Sequence, residues 1–267
     1  MKTVLRITDD CYSGHTLGTF RLTYYGADPK KNVEIVNFLK EQAEERNRIF
    51  YDIYSEEEKL ADPAKRDTGL FFFRGNPGAR FAVCNAGGAF AFVGAKHDSF
   101  PHALEISKAG FNAFALIYRP GWKTAFEDLA RAISFIFRHA KELEVNTDCY
   151  SLWGSSAGAR MAANLGTYGP AAFGGDRLPR PGTVVMQYTG HERYSRQDPP
   201  TFVAVGTNDW IADWRVMKAR TAALAALGIP TVFHAYKGLG HGFGLGTGTV
   251  AEGWIQEAIQ FWKKQML

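Results

Sequence analysis

Cysteine is scarce in this sequence: Cys11, Cys84 and Cys149 are the only three in 267 residues. Three scattered thiols exclude a disulfide framework and provide no paired spacing for a structural zinc site. Cys84 and Cys149 lie in or beside apolar runs and read as buried small hydrophobes. No His/Cys/Asp/Glu cluster has ligand spacing, so no metal is expected. Long apolar runs are missing as well. None approaches a membrane span, and Arg6, Asp9 and Asp10 break the amino terminus where a secretory signal carries its apolar core. A reduced, cytoplasmic setting is the default expectation. An excess of one charge is also missing: 31 Lys and Arg stand against 27 Asp and Glu, a balance of +4. The longest basic runs are pairs, Lys30-Lys31 and Lys263-Lys264, whereas a nucleic-acid binder concentrates its charge in a stripe or cluster. Nucleic acid is therefore not an expected partner. The glycine-rich tail from Gly238 to Gly248 contains no G-x-G-x-x-G window, which removes the dinucleotide fingerprint, and no cofactor is expected.

What is present suits one large α/β domain: 46% of the residues are hydrophobic and 14% aromatic. From about residue 70, strand-like runs alternate with helix-like segments. Leu70 to Phe73 and Arg80 to Cys84 read as a hairpin joined through the Gly-Asn-Pro-Gly turn at 75 to 78. A helix is expected near Ser99 to Ala109, with Pro101 in its first turn. Phe114 to Tyr118 follows as a strand, then a helix opened by Thr124 and Glu127 at capping-box spacing. Cys149 to Trp153, Thr183 to Tyr188, Phe202 to Val205 and Thr231 to Tyr236 complete the strands, and Ala251 to Lys264 is the last helix. Such alternation predicts a mostly parallel sheet covered on both faces, with ligands at the strands' carboxyl ends. Residues 1–69 read as an amino-terminal arm on a core of residues 70–267, one domain overall. Within the arm, Val33 to Tyr54 has helical spacing, and placement over the active site as a lid or on the sheet's flank is equally open.

Residues 149–158 read CYSLWGSSAG, a buried strand running into G-x-S-x-G before a helix. A serine held on a sharp, strained turn needs neighbours without side chains two positions either side, and Gly154 and Gly158 supply them. That makes Ser156 the candidate nucleophile. Ser155 does not fit, because Trp153 would occupy the first glycine position. A serine needs a histidine to take its proton and a carboxylate to orient that histidine. Asp209 follows the Phe202 to Val205 strand on a turn, while Asp213 sits where it would cap the next helix. His241 lies in the loop after the last strand, whereas His234 is mid-strand. His139, at a helix end, is explained by the dipole there. The segment Asn85-Ala86-Gly87-Gly88 after a central strand provides backbone donors for an oxyanion hole at Gly87 and Gly88, with Ala157 as the third. Asn85, Phe90, Tyr118, His191, Trp210 and Phe243, at or near strand ends, are the candidates for lining the substrate cleft.

GSSAG, TNDW, GHGFG and CNAGGAF together resemble the esterase/lipase branch of the α/β hydrolases, with small bacterial acetyl-esterase and feruloyl-esterase-like members nearest in likeness. The resemblance spans about residues 70–267. It implies the α/β-hydrolase fold, a Ser156–Asp209–His241 triad and donors at Gly87, Gly88 and Ala157. It departs from the family at Asn85-Ala86, where related lipase-like members carry His-Gly. The expected activity is hydrolysis of small, short-acyl esters, including acetylated or feruloylated carbohydrates, through an acyl-enzyme. Amide or peptide cleavage by the same residues, and a silent ligand-binding protein of the same fold, are the alternatives.

Overall fold

The computed structural model describes residues 28–45 and 47–267. Cys11 and the rest of the arm's first 27 residues lie outside the described residues. The first helix among the described residues, α1 (Pro29–Glu44), starts on an Asp28 cap whose side chain accepts the Lys30 N–H. It stops at residue 44 instead of continuing to Tyr54. Phe50–Asp52 instead forms strand β1, which pairs antiparallel with β2 (Gly69–Phe73). The β-favouring Phe50 and Tyr51 gain a sheet edge there, which outweighs the weaker helical spacing beyond residue 44. Between these strands lies the short helix α2 (Glu56–Ala61), capped by a reciprocal Ser55–Glu58 box.

The chain continues through β3 (Arg80–Asn85), α3 (Ala95–Asp98), α4 (Phe100–Lys108), β4 (Asn112–Ile117) and α5 (Trp122–Arg138). Then come α6 (Ala140–Leu143), β5 (Asn146–Ser155), α7 (Ala157–Tyr168), β6 (Thr183–Gln187) and β7 (Thr201–Gly206). The last elements are α8 (Trp214–Ala226), β8 (Thr231–Tyr236) and α9 (Trp254–Lys264). One eight-stranded sheet runs in the order β1-β2-β4-β3-β5-β6-β7-β8, parallel from β4 onward.

Two local expectations are corrected. First, β2 and β3 do not form a hairpin, because β4 lies between them, antiparallel to β2 and parallel to β3. The Gly75–Gly78 turn is tied to the start of β4, with Asn112 Oδ1 accepting the Gly75 N–H at 3.0 Å. The connection thus steps over one strand position. An interior place suits β3, whose Phe81–Asn85 stretch is buried on both faces. Second, α5 begins at Trp122 without a side-chain cap, and Thr124 donates to the Pro120 and Gly121 carbonyls. With Thr124 already inside the first turn, its spacing from Glu127 caps nothing.

The two-residue period of the strands divides the core. Phe81, Val83, Phe114, Leu116, Leu152 and Val184 face one apolar layer, which α5, α7 and Met217 of α8 cover. Ala82, Cys84, Ala113, Ala115, Trp153 and Val185 face the other, covered by α1, α4 and α9. Ile35 and Leu39 of α1 bury in that second layer, and Phe38 stacks on Phe73 at 5.7 Å between ring centres. The described part of the arm therefore packs on the sheet's flank and adds an edge strand to it. Cys84 is fully buried as expected, whereas Cys149 is only half-buried.

Candidate active site

The nucleophile candidate is positioned by the junction of β5 and α7. Ser156 has φ 51° and ψ −114°, a left-handed conformation that costs a residue with a side chain on the order of 1–3 kcal/mol. Close packing holds it there. A Cβ on Gly154 would collide with the Gly158 carbonyl, and one on Gly158 with the Asn85 and Ala86 carbonyls. The two glycines thus let α7 start directly against the end of β3. From the next strand, the Gln187 carbonyl accepts the Ser156 N–H at 2.9 Å.

His241 comes from the loop after β8, with its Nε2 3.0 Å from Ser156 Oγ and its Nδ1 2.7 Å from Asp209 Oδ2. Asp209, on the turn after β7, is buried. Its other oxygen accepts the N–H groups of Ile211 and Ala212 at 2.8 and 2.9 Å. A carboxylate held by two amides and one imidazole keeps its orientation. Asp213 does not reach His241; it caps α8, accepting the Arg215 N–H. His234 pairs instead with Glu257 at 3.0 Å, and His139 with Glu142.

The segment after β3 approaches Ser156 closely. A Cβ built on Gly87 would stand 3.0 Å from Ser156 Cβ. The Gly87 N–H, one of the three donors expected for an oxyanion, is already bound by Asp98 Oδ2 at 2.9 Å. That expectation is corrected by the Asp98 carboxylate, a stronger acceptor than a neutral carbonyl. Of the expected donors this leaves Gly88, at φ +134°, and Ala157, the first residue of α7. An N–H at that helix position has no carbonyl a turn earlier to bond.

The cleft candidates divide. Asn85 is fully buried and donates to the Val83 and Trp153 carbonyls, while Tyr118 is buried with its hydroxyl on the Ala86 carbonyl. Both support the loop from beneath and do not line an open cleft, since Asn85 Nδ2 and the Tyr118 hydroxyl donate inward to backbone carbonyls. Phe90 and Phe243 are half-buried, Phe243 against the Tyr188 ring. Trp210 is 81% exposed. His191 is half-buried, and burial first, then Arg220, Arg160 and Arg193, pulls its pKa down to about 4.

Sequence reading missed four residues here. Asp98 joins Gly87 to the Tyr188 hydroxyl, and Tyr188 packs its ring edge-on to His241 at 5.0 Å. Burial and the Asp98 charge hold the Tyr188 phenol well above its usual range. His97 Nε2 lies 2.6 Å from the Gly242 carbonyl, one residue past His241. Gln187 bonds to both sides of the site. Only tertiary contact reveals these four; no spacing in the sequence marks them.

Residues 76–177 match the BD-FAE family model. No curated protein gives a significant sequence match. Among solved structures, the chain is similar to an acetyl ester-xyloside bifunctional hydrolase from Caldicellulosiruptor lactoaceticus. That match has a TM-score of 0.71 at 20% identity and covers 80% of this chain and 95% of that one. A thermophilic esterase from Thermogutta terrifontis, with propionate bound, matches at a TM-score of 0.67 and 18% identity, over 80% and 93% of the two chains. The carboxylesterase Cest-2923 from Lactobacillus plantarum matches at 0.65 and 17%, over 74% and 93%. With its eight-stranded, mostly parallel sheet flanked by helices, the chain has the α/β-hydrolase fold that these structures share.

Proposed function

We propose that this protein is a serine-dependent carboxylic-ester hydrolase acting on small, short-acyl esters. One observation carries the reading. A strained Ser156 lies within hydrogen-bond reach of His241 Nε2, and His241 Nδ1 is held by a buried, doubly anchored Asp209. In the reaction, His241 Nε2 takes the Ser156 hydroxyl proton as Oγ attacks the ester carbonyl. The N–H groups of Gly88 and Ala157 receive the developing oxyanion. His241 then returns the proton to the departing alcohol, leaving an acyl-serine. Water, deprotonated by the same nitrogen, attacks that carbonyl. The carboxylic acid leaves as the proton returns to Ser156 Oγ. Asp209 stays ionised throughout and stabilises the imidazolium.

Short acyl groups are the reading we give to the half-buried rings of Phe90 and Phe243, the latter packed on Tyr188 beside His241. The Thermogutta terrifontis esterase structures with propionate and butyrate bound support the same size class, and the acetyl ester-xyloside hydrolase supports an acylated carbohydrate. No helix among the described residues is long and apolar enough to cross a membrane. The test is covalent labelling by a fluorophosphonate together with turnover of aryl esters of graded acyl length. Labelling at Ser156 with acetyl to butyryl esters fastest is expected. Absence of labelling overturns the serine mechanism, and faster octanoyl than acetyl turnover overturns the acyl size.

A further inference from the structure

Gln187, at the end of β6, is 1% exposed and bonds in three directions. Its backbone carbonyl accepts the Ser156 N–H at 2.9 Å. Its side-chain Oε1 lies 2.9 Å from Ser155 Oγ and 2.9 Å from His102 Nε2. Its Nε2 donates to the Gly244 carbonyl, three residues past His241, where Trp254 Nε1 also donates at 3.1 Å. The amide's orientation is dictated by these partners. The Ser155 hydroxyl, bonded to one side of it, is a donor. The Gly244 carbonyl can only accept, so the amide nitrogen faces it and Oε1 faces His102; the His102 ring, whose pKa burial lowers to about 4, is neutral and donates from Nε2. The Ser155 hydroxyl and the His102 ring thus both donate to that oxygen. A single side chain therefore links the serine turn to the histidine loop, and it does so from behind the reacting atoms.

We propose that Gln187 is a positioning residue that sets the separation of Ser156 Oγ and His241 Nε2, by tying Ser155 and the Ser156 amide to Gly244. The proposal rests on the serine-hydrolase reading of the site. A proton passes between Oγ and Nε2 only within hydrogen-bond reach, and a displacement of about 1 Å costs on the order of a hundredfold in rate. Gln187 touches neither substrate nor the transferred proton. Its loss should therefore appear in kcat, not in KM.

Two variants test this. Gln187→Met keeps the volume but removes every side-chain bond, and should lower kcat roughly ten- to a hundredfold with KM within about twofold. Gln187→Glu keeps the oxygen facing Ser155 and His102 but turns a second oxygen toward the Gly244 carbonyl. Only when that buried carboxyl is protonated can it donate there, and burial moves its titration up toward neutral pH. The ratio of Gln187→Glu kcat to wild-type kcat should therefore rise as pH falls from 8 to 5.5. A packing role alone would be met by Gln187→Met, which keeps the volume, and would leave its kcat at the wild-type value. Wild-type kcat in Gln187→Met, a loss confined to KM, or a flat ratio in Gln187→Glu overturns the proposal. If Gln187→Met is not recovered folded, the ratio decides alone. Fluorophosphonate labelling of the wild type and its absence in Ser156→Ala check the underlying reading separately. An unlabelled wild type overturns both, whereas correct labelling with an undisturbed Gln187→Met overturns only the role of Gln187.

Discussion

Asp209 and Asp98 are both buried carboxylates, and each reaches Ser156 through an intermediary. Asp209 accepts the Ile211 and Ala212 amides and holds the His241 imidazole, which meets Ser156 Oγ. Asp98 accepts the Gly87 amide and the Tyr188 hydroxyl, and Gly87 lies against Ser156 Cβ. The difference is in what each partner can do. An imidazole gains and loses a proton near neutral pH. A phenol whose pKa is held far up keeps its proton. The same carboxylate chemistry thus supports a group that moves a proton on one side and a fixed loop on the other. Asp213, four residues from Asp209, shows how much placement matters: a turn further on, an aspartate only caps a helix.

The sharpest way to break this comparison is at the serine both carboxylates serve. Ser156→Ala should remove about a millionfold of turnover and all fluorophosphonate labelling while leaving thermal stability near wild type. Wild-type labelling in that variant places the nucleophile elsewhere. Next in size is Asp209→Asn, expected to lower kcat about ten-thousandfold, the cost of the equivalent change in a serine protease. Asp213→Asn removes one helix cap, costs about 1 kcal/mol of stability and should leave kcat within about threefold. Equal losses in the two variants erase the distinction drawn from geometry.

Asp98→Ala tests the other carboxylate. It frees the Gly87 amide and leaves Tyr188 without its acceptor. The loop after β3 then loses an anchor, though Gly88 and Ala157 remain. The expected fall in kcat is roughly tenfold to a hundredfold, below the hundred- to thousandfold that follows removal of an oxyanion donor itself. A loss equal to that of Asp209→Asn would give Asp98 a part in the proton transfer and collapse the contrast.

How much of this was legible in the sequence depends on how local the cause is. Gly154-Ser155-Ser156-Ala157-Gly158 carries its geometry in five residues, because the collisions that demand glycine lie within the turn and the strand beside it. The loops bearing Asp209 and His241 were legible because each directly follows a strand whose apolar run is plain. The strands β4 to β8 fell near their expected ranges for the same reason. The hairpin failed because a Gly-Asn-Pro-Gly turn reports a change of direction, not which strand will occupy the neighbouring position. The helix expected to reach Tyr54 ended at Glu44 because a sheet edge 20 residues later in the chain competes for Phe50 and Tyr51. Asp98 and Gln187 carry no local mark. Their partners lie 11 to 90 residues away in sequence, so only the assembled fold brings them to the site.

The smallest effect is one of pH on stability, and it arises at His102, behind the Gln187 side chain. Burial lowers its pKa from 6.5 to about 4 in the folded protein. The sign follows from proton counting. Between those two values the unfolded chain binds a proton on this ring and the folded chain does not, so unfolding takes up a proton. Stability from the neutral ring is therefore complete above pH 6.5 and is lost as pH falls toward 4. The shift corresponds to roughly 3 kcal/mol, or on the order of 5 °C in Tm for a chain of this size. His191, lowered to about 4 chiefly by burial, adds in the same direction and window. Carboxylates held by amides or cations contribute their own acid lability, so the total slope does not identify one histidine. The difference between two proteins does. His102→Phe keeps an aromatic ring beside Trp254, which the imidazole contacts at 5.5 Å, and it has no proton to bind. Its Tm should fall less steeply than that of the wild type between pH 6.5 and 4, with the two slopes equal above pH 7.5. Parallel slopes across the whole range would mean that the folded protein protonates His102 as readily as the unfolded chain. The Nε2–H donor to Gln187 would then belong to an imidazolium at mildly acidic pH, with a second N–H on Nδ1.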